Sequence, residues 1–196
     1  LFMRCEANQV DRTVAHCVAT FMRMGAKGIP SLEHMTDGIQ IPDFPVPEMT
    51  PLDGSLKALR QSVLASGALD QLVEAIPYAK HIGVEFDGSV TSGLFKLNRK
   101  QSNLGNPILP AIHGGVLGGF MEMSSSLHLL ATQPVESFPK IIDFSIDYLR
   151  AGMDRDTYAL CEVTRQGGRV ANVEVHAWQE SQDNPIALAR AHFLIE

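Results

Sequence analysis

The stretch from Asn106 to Leu130, NPILPAIHGGVLGGFMEMSSSLHLL, leaves this chain little freedom in how it folds. Val116, Leu117, Phe120, Met121, Leu127, Leu129 and Leu130 fall on most sides of a helix, so that helix must be enclosed nearly all round. It is not a membrane span, because Glu122 and three serines interrupt it well short of the roughly 18 apolar residues a span needs. An enclosed helix requires a wrapper, and the flanking sequence reads as strands. In IIDFSIDYL, Ile142, Phe144, Ile146 and Tyr148 alternate with Asp143, Ser145 and Asp147, which sets one apolar face toward the helix. Strands are expected at about 139–150, 156–167 and 169–180, with 185–195 closing the set. Ahead of the helix, IGVEFDG (82–88) and SVTSGLFKLN (89–98) read as a hairpin turning about Asp87-Gly88, and a loop from Arg99 leads to Ile112. One hairpin, a long helix and a four-strand meander make an α+β pattern in which an antiparallel sheet wraps a helix.

The head of that helix carries the chemistry. Gly114 and Gly115 have no Cβ, so their backbone can turn tightly and bring N–H groups close to a ligand where the helix begins. Those unpaired donors, at the positive end of a macrodipole worth about half a charge, suit a developing oxyanion. Glu122, nine residues after His113, is the only formal charge between Asn106 and Glu136. An unpaired carboxylate in an enclosed helix is costly, so it needs a partner or a task.

Asn106, His113, Gly114, Gly115 and Glu122 resemble the pattern of the hotdog-fold acyl-CoA thioesterases of the phenylacetate-pathway (PaaI-like) type: an Asn, then His-Gly-Gly, then an acid nine residues after the His. The likeness runs on through KIIDFSIDYLRAG (140–152), GGRVANVEVHAWQE (167–180) and PIALARAHFLI (185–195), and covers roughly residues 62–196. In two places the chain departs from the family. Asn106 stands one residue further from the histidine than usual, and Ile141 occupies a position where many members carry Ser or Thr. Ser126, one turn beyond Glu122, is the candidate to replace that contact; the bland alternative is a serine bonded to the carbonyl four residues back.

The resemblance implies hydrolysis of acyl-CoA thioesters to free acid and CoA, with Glu122 as nucleophile or as general base on water. It implies an oxyanion site at Gly114 or Gly115, an Asn106 that orients water or thioester, and a site shared between the subunits of a homodimer or larger homo-oligomer. His113 reads as shaping the turn. Arg150, Arg165 and Arg169 lie near the expected edge of the site; arginine suits phosphate, so Arg150 and Arg169 are candidates for CoA, and Arg165 reads as a solvated strand end. No cofactor is implied. Two other readings stay open: a hotdog dehydratase or hydratase acting on acyl thioesters, and a non-catalytic acyl-CoA-binding module.

Bulk properties narrow the field. A net charge of −6 without a Lys/Arg cluster argues against nucleic acid as a partner. Cys5, Cys17 and Cys161 form no CxxC pair, the histidines show no metal spacing, and no signal-peptide pattern opens the chain, so reduced thiols and a cytoplasmic location are expected. Residues 55–196 read as the hotdog domain. Its first segment, LKALRQSVLA, is helical by spacing, with Asp53 or Ser55 as N-cap and Gly67 as its end, and a second helical run, ALDQLVEAI, is expected to stop at Pro77. Residues 24–54 read as a Pro/Gly-rich linker. Before it, VAHCVATFMR (14–23) echoes IALARAHFLI (186–195), with Val14/Ile186, Ala15/Ala187, Ala19/Ala191 and Phe21/Phe193 coinciding without a gap. Residues 1–23 are therefore expected to be either the tail of a preceding hotdog domain or a strand added to the sheet.

Overall fold

A computed structural model describes residues 2–9, 12–20, 55–89, 91–106, 108–135 and 137–195. The chain divides into two units, residues 1–48 and 49–196. In the first, β1 (Phe2–Gln9) and β2 (Arg12–Thr20) form an antiparallel hairpin. Its register sets Ala7 opposite Ala15 and Met3 opposite Ala19. At the other end of the chain Ala177 likewise faces Ala187, and Val173 faces Ala191, so the echo extends to the pairing partner. The linker expected over residues 24–54 lies outside the described residues, as does Asp53.

The second unit opens with α1 (Ser55–Ser66), which ends at Gly67 with φ 76°. The Gly67 N–H donates to the Val63 carbonyl at 2.8 Å, a glycine stop of the expected kind. The second helical run, α2 (Asp70–Glu74), stops before Pro77 as expected, and Pro77 also begins a third helix that the sequence reading did not include, α3 (Pro77–Ile82). Proline is tolerated in the first turn because no helical hydrogen bond is asked of its nitrogen there. Gly83, at φ 87°, closes α3.

The next hairpin is shorter than expected. β3 (Val84–Phe86) and β4 (Leu94–Leu97) are joined by a loop with positive φ at Gly88 and Gly93, in place of a tight turn at Asp87-Gly88. The expected loop from Arg99 to Ile112 contains a 3-10 turn (Gln101–Asn103) and a small antiparallel pair, β5 (Leu104–Asn106) and β6 (Ala111–Ile112). Then come α4 (Gly114–Thr132), β7 (Lys140–Tyr148), β8 (Thr157–Gln166), β9 (Val170–Trp178) and β10 (Ala187–Leu194).

These strands form a six-stranded antiparallel sheet in the order β3-β4-β8-β9-β10-β7, wrapped about α4, which is the hotdog arrangement. The four-strand meander is corrected in one respect: β8, β9 and β10 run as a meander, but β7 pairs with β10 at the far edge. The helix crosses the sheet before β7 begins, so the chain enters at that edge and returns through residues 149–156 to reach β4.

Strict alternation sets the inner face. Ala171, Val173, Val175 and Ala177 of β9 and Ala187, Ala189, Ala191 and Phe193 of β10 are buried, and apart from Leu188 the residues between them, on the other side, are polar. So many alanines let α4 lie close to the sheet, where Phe120, Met121, Leu127, Leu129 and Leu130 meet Phe95 and Leu97 in one core. Each large side chain buried this way contributes about 1.5–3 kcal/mol, which holds the helix in place.

Candidate active site at the head of the buried helix

The turn into α4 is built by His113. Its backbone is extended (φ −61°, ψ 131°), and its Nδ1 accepts a hydrogen bond from the Gly115 N–H at 3.0 Å. An accepting nitrogen carries no proton, so the ring serves as the N-cap of its own helix. The His113 carbonyl accepts from the Val116 and Leu117 N–H groups, and its N–H donates to the Asn103 carbonyl at 2.8 Å. Asn103 is buried and its Nδ2 donates to the Ile82 carbonyl at 2.8 Å, which ties the end of α3 to the helix head. Gly105 lets β5 lie against the imidazole, since a Cβ there would fall 2.6 Å from His113 Cδ2. Asn106 ends β5 opposite Ala111, inside the small hairpin that delivers the chain to His113.

These contacts separate the two candidate oxyanion donors. The Gly115 N–H is engaged by His113. The Gly114 N–H has no acceptor among the described residues, while the Gly114 carbonyl accepts from the Tyr148 hydroxyl at 2.6 Å. On that side Tyr148, Phe144 and Ile146 of β7 pack over Gly114 and Gly118, as the alternation of IIDFSIDYL predicts, but Ile142, expected on the same face, is 59% exposed near the start of the strand.

Further along the helix, every residue from Leu117 to Ala131 is buried except Gly119 and Glu122. The two are three apart and share a face, and Gly115 continues that face toward the helix head. Glu122 is half-buried and makes no ion pair among the described residues. Burial pushes its carboxyl pKa above the ordinary carboxylate value. One turn on, the Ser126 hydroxyl is buried with no hydrogen-bond partner among the described residues. It is Ser125 that bonds back to the carbonyl four residues earlier, at Met121, 2.9 Å away.

A residue that the sequence did not single out completes the surroundings. The ring of Tyr78, from α3, lies over Gly119: a Cβ at Gly119 would fall 2.8 Å from its Cε1, 2.9 Å from its Cζ, and nearer still to its hydroxyl. Burial, and then the charge of Glu122, raise the phenol pKa. Its position depends on α3, and so on Pro77 starting a helix.

A cavity of about 490 Å³ opens beside the helix head, with Ile112, His113, Gly114, Leu117, Tyr148 and Arg150 in its wall. Arg150 donates to the Pro185 carbonyl at 2.6 Å, which holds its guanidinium at the rim. Arg169 is not brought here. It lies in the turn between β8 and β9, its carbonyl accepting from the Ile195 N–H at 2.9 Å, where the chain passes the far end of α4. Cys161 is buried and its thiol pKa is driven far up by that burial, so it is no nucleophile. Among the described residues no group of three His, Cys, Asp or Glu is placed to hold a metal, and no helix is long and apolar enough to cross a membrane.

The family model of the thioesterase superfamily matches residues 109–186. Among solved structures, a protein of Chromobacterium violaceum is 38% identical, with 70% of this chain and 96% of that chain covered and a TM-score of 0.58. The PaaI protein from the phenylacetic acid degradation operon of E. coli is 18% identical over 72% of this chain and 96% of its own, with a TM-score of 0.57. A Bacillus halodurans protein solved with CoA is 19% identical over 70% of this chain and 88% of its own, at 0.54. At these lower identities the likeness is one of fold. No curated protein matches the chain.

Proposed function

The chain belongs to the thioesterase superfamily and has the hotdog fold of PaaI-like proteins, and from that premise we propose that it hydrolyses acyl-CoA thioesters to free acid and CoA. One observation carries the reading. The single formal charge of the enclosed helix, Glu122, has no cation paired with it among the described residues and lies on the open face that leads back to the glycines at the helix head. The burial that raises its pKa makes it a better base once ionised.

In the reaction, the Glu122 carboxylate takes a proton from water as the water oxygen bonds to the thioester carbon. The carbonyl electron pair moves onto oxygen, which the Gly114 N–H stabilises. Collapse breaks the C–S bond, and the CoA thiolate leaves and is protonated. Direct attack by the carboxylate, followed by opening of the resulting anhydride by water, gives the same products.

Helix geometry favours a second copy in the site. Eight residues separate Gly114 from Glu122, about 12 Å at about 1.5 Å per residue, too far for both to act on one carbonyl. Pairing Glu122 of one protomer with Gly114 of its partner removes the difficulty. The edge strand β7, with Ile141, Ile142 and Tyr148 exposed, supports such a homodimer. A CoA ligand is supported by the fold shared with the CoA-bound Bacillus halodurans protein, with Arg150 at the rim as the phosphate contact. The Ser126 hydroxyl, buried and without a hydrogen-bond partner among the described residues, is a polar group that a turn of the Glu122 side chain, one helical turn away, would satisfy.

The test is thiol release from a panel of acyl-CoAs. Wild type should release thiol and sediment at twice the chain mass, and Glu122→Gln should lose on the order of 10²–10⁴ in rate. Unchanged release in the variant would overturn the assignment of Glu122. Turnover of enoyl-CoA without thiol release would point to a hydratase, and tight CoA binding with neither activity to a binding module. A monomer active at high dilution would remove the shared site.

A further inference from the structure

Tyr78 sits where the sheet leaves α4 open. Gly119 and Glu122 are the two residues between Leu117 and Ala131 that escape burial, and the Tyr78 ring occupies the space over Gly119 that any side chain there would fill. Side chains on a helix lean toward its N-terminus, so the Glu122 carboxylate leans over the turn that holds Gly119, and hence toward the Tyr78 hydroxyl. The ring is 43% exposed, and among the described residues its hydroxyl has no hydrogen-bond partner, unlike that of Tyr148, which is spent on the Gly114 carbonyl.

Resting on the reading of Glu122 given above, we propose that Tyr78 is a positioning residue for Glu122: its hydroxyl, admitted by the missing side chain at Gly119 and not bonded to the acid in this structure, reaches the carboxylate by a side-chain rotation when the site is engaged, donates to it, and holds it ionised and aimed. Unlike Gly114, it acts on the acid of its own protomer. Among the described titratable groups, Tyr78 is the one whose pKa responds to the Glu122 charge, while the shift of Glu122 itself comes from burial alone. A donor bonded to a carboxylate favours the ionised form and opposes the rise that burial causes. Without the hydroxyl, the carboxyl should therefore hold its proton to higher pH.

The experiment compares thiol release from an acyl-CoA that wild type turns over, across pH, with Tyr78→Phe, Tyr78→Ala, Gly119→Ala and Glu122→Gln. Tyr78→Phe keeps the ring and removes only the hydroxyl. It should lower kcat at pH 7 about 10-fold, leave KM within about twofold, and move the acid limb of the kcat/KM profile up by about one pH unit, with Tm unchanged. Gly119→Ala, which displaces the ring, should move the acid limb in the same direction. If Tyr78→Phe keeps the wild-type profile and kcat while Tyr78→Ala loses stability, the ring is only packing and the proposal falls. Should Glu122→Gln retain thiol release, both readings fall; loss in Glu122→Gln with a wild-type Tyr78→Phe removes the role of Tyr78 alone.

Discussion

From Met123 to Ala131 every residue of α4 is buried, whereas from Gly114 to Glu122 the same helix carries four glycines and leaves Gly114, Gly115, Val116, Gly119 and Glu122 less than fully buried. The rear half presents Leu127, Leu129 and Leu130 to the sheet and supplies the burial that holds the wrapped helix together. The front half gives up such packing. Each helical glycine costs up to about 1 kcal/mol against alanine, so four of them are tolerated only because the rear half and the sheet hold the helix. What that sacrifice provides is close approach: Tyr148 against Gly114 and Gly118, Tyr78 against Gly119, and a backbone N–H at Gly114 left without an acceptor among the described residues. One continuous element thus divides between stability and chemistry, and substitutions in its two halves should have opposite signatures.

The largest effect belongs to the rear half. Leu127→Ala should lower the unfolding free energy by about 2–5 kcal/mol in denaturant melts and leave the kcat of the folded fraction unchanged. A collapse of kcat at unaltered stability would break the division. In the front half, Gly114→Pro removes the free N–H at the first helical position, where proline is tolerated. His113, at φ −61° and ψ 131°, already has the extended backbone that proline requires before it. Thiol release should fall on the order of 10²–10³ with Tm nearly constant, and retained release would show that another group holds the oxyanion. The smallest effect comes from burial of the acid itself. Because burial raises the Glu122 pKa, the folded protein favours the protonated carboxyl. Its stability contribution is therefore fully present below the unfolded-state value and is lost as pH rises through the folded-state value. Glu122→Gln should accordingly melt a few degrees above wild type at pH 7 and close to it at pH 4. A difference independent of pH would mean that the carboxyl is not ionised against its surroundings.

Much of this architecture can be read from residue order because it rests on local rules. The long apolar run means an enclosed helix, the alternation in IIDFSIDYL means a strand with one face on that helix, and Gly67 means a helix end; the structure has each of them. The failures also have local causes. Proline can end one helix and begin another, and at Pro77 it does both, so the stop before it is legible in the sequence and the helix that follows it is not. The loop between β3 and β4 is widened by two glycines in the left-handed region, where the dipeptide Asp87-Gly88 suggested a tight turn. Tyr78, Asn103 and the position of β7 leave no periodic signal, since each is defined by a contact distant in sequence.

At the site the division is similar. The order His-Gly-Gly, with an acid nine residues on, identifies the head of the helix and its single charge, because both are properties of neighbours along one backbone. Packing alone decided that His113 is spent on the Gly115 N–H, that among the described residues the Gly114 donor and the Ser126 hydroxyl find no partner, and that Arg169 lies at the opposite end of α4 from Arg150. These are outcomes of which groups find acceptors once the sheet has closed on the helix. Hydrogen-bond pairing and burial are properties of the folded surroundings, so two residues of one type, such as Gly114 and Gly115 or Tyr78 and Tyr148, acquire different roles only there.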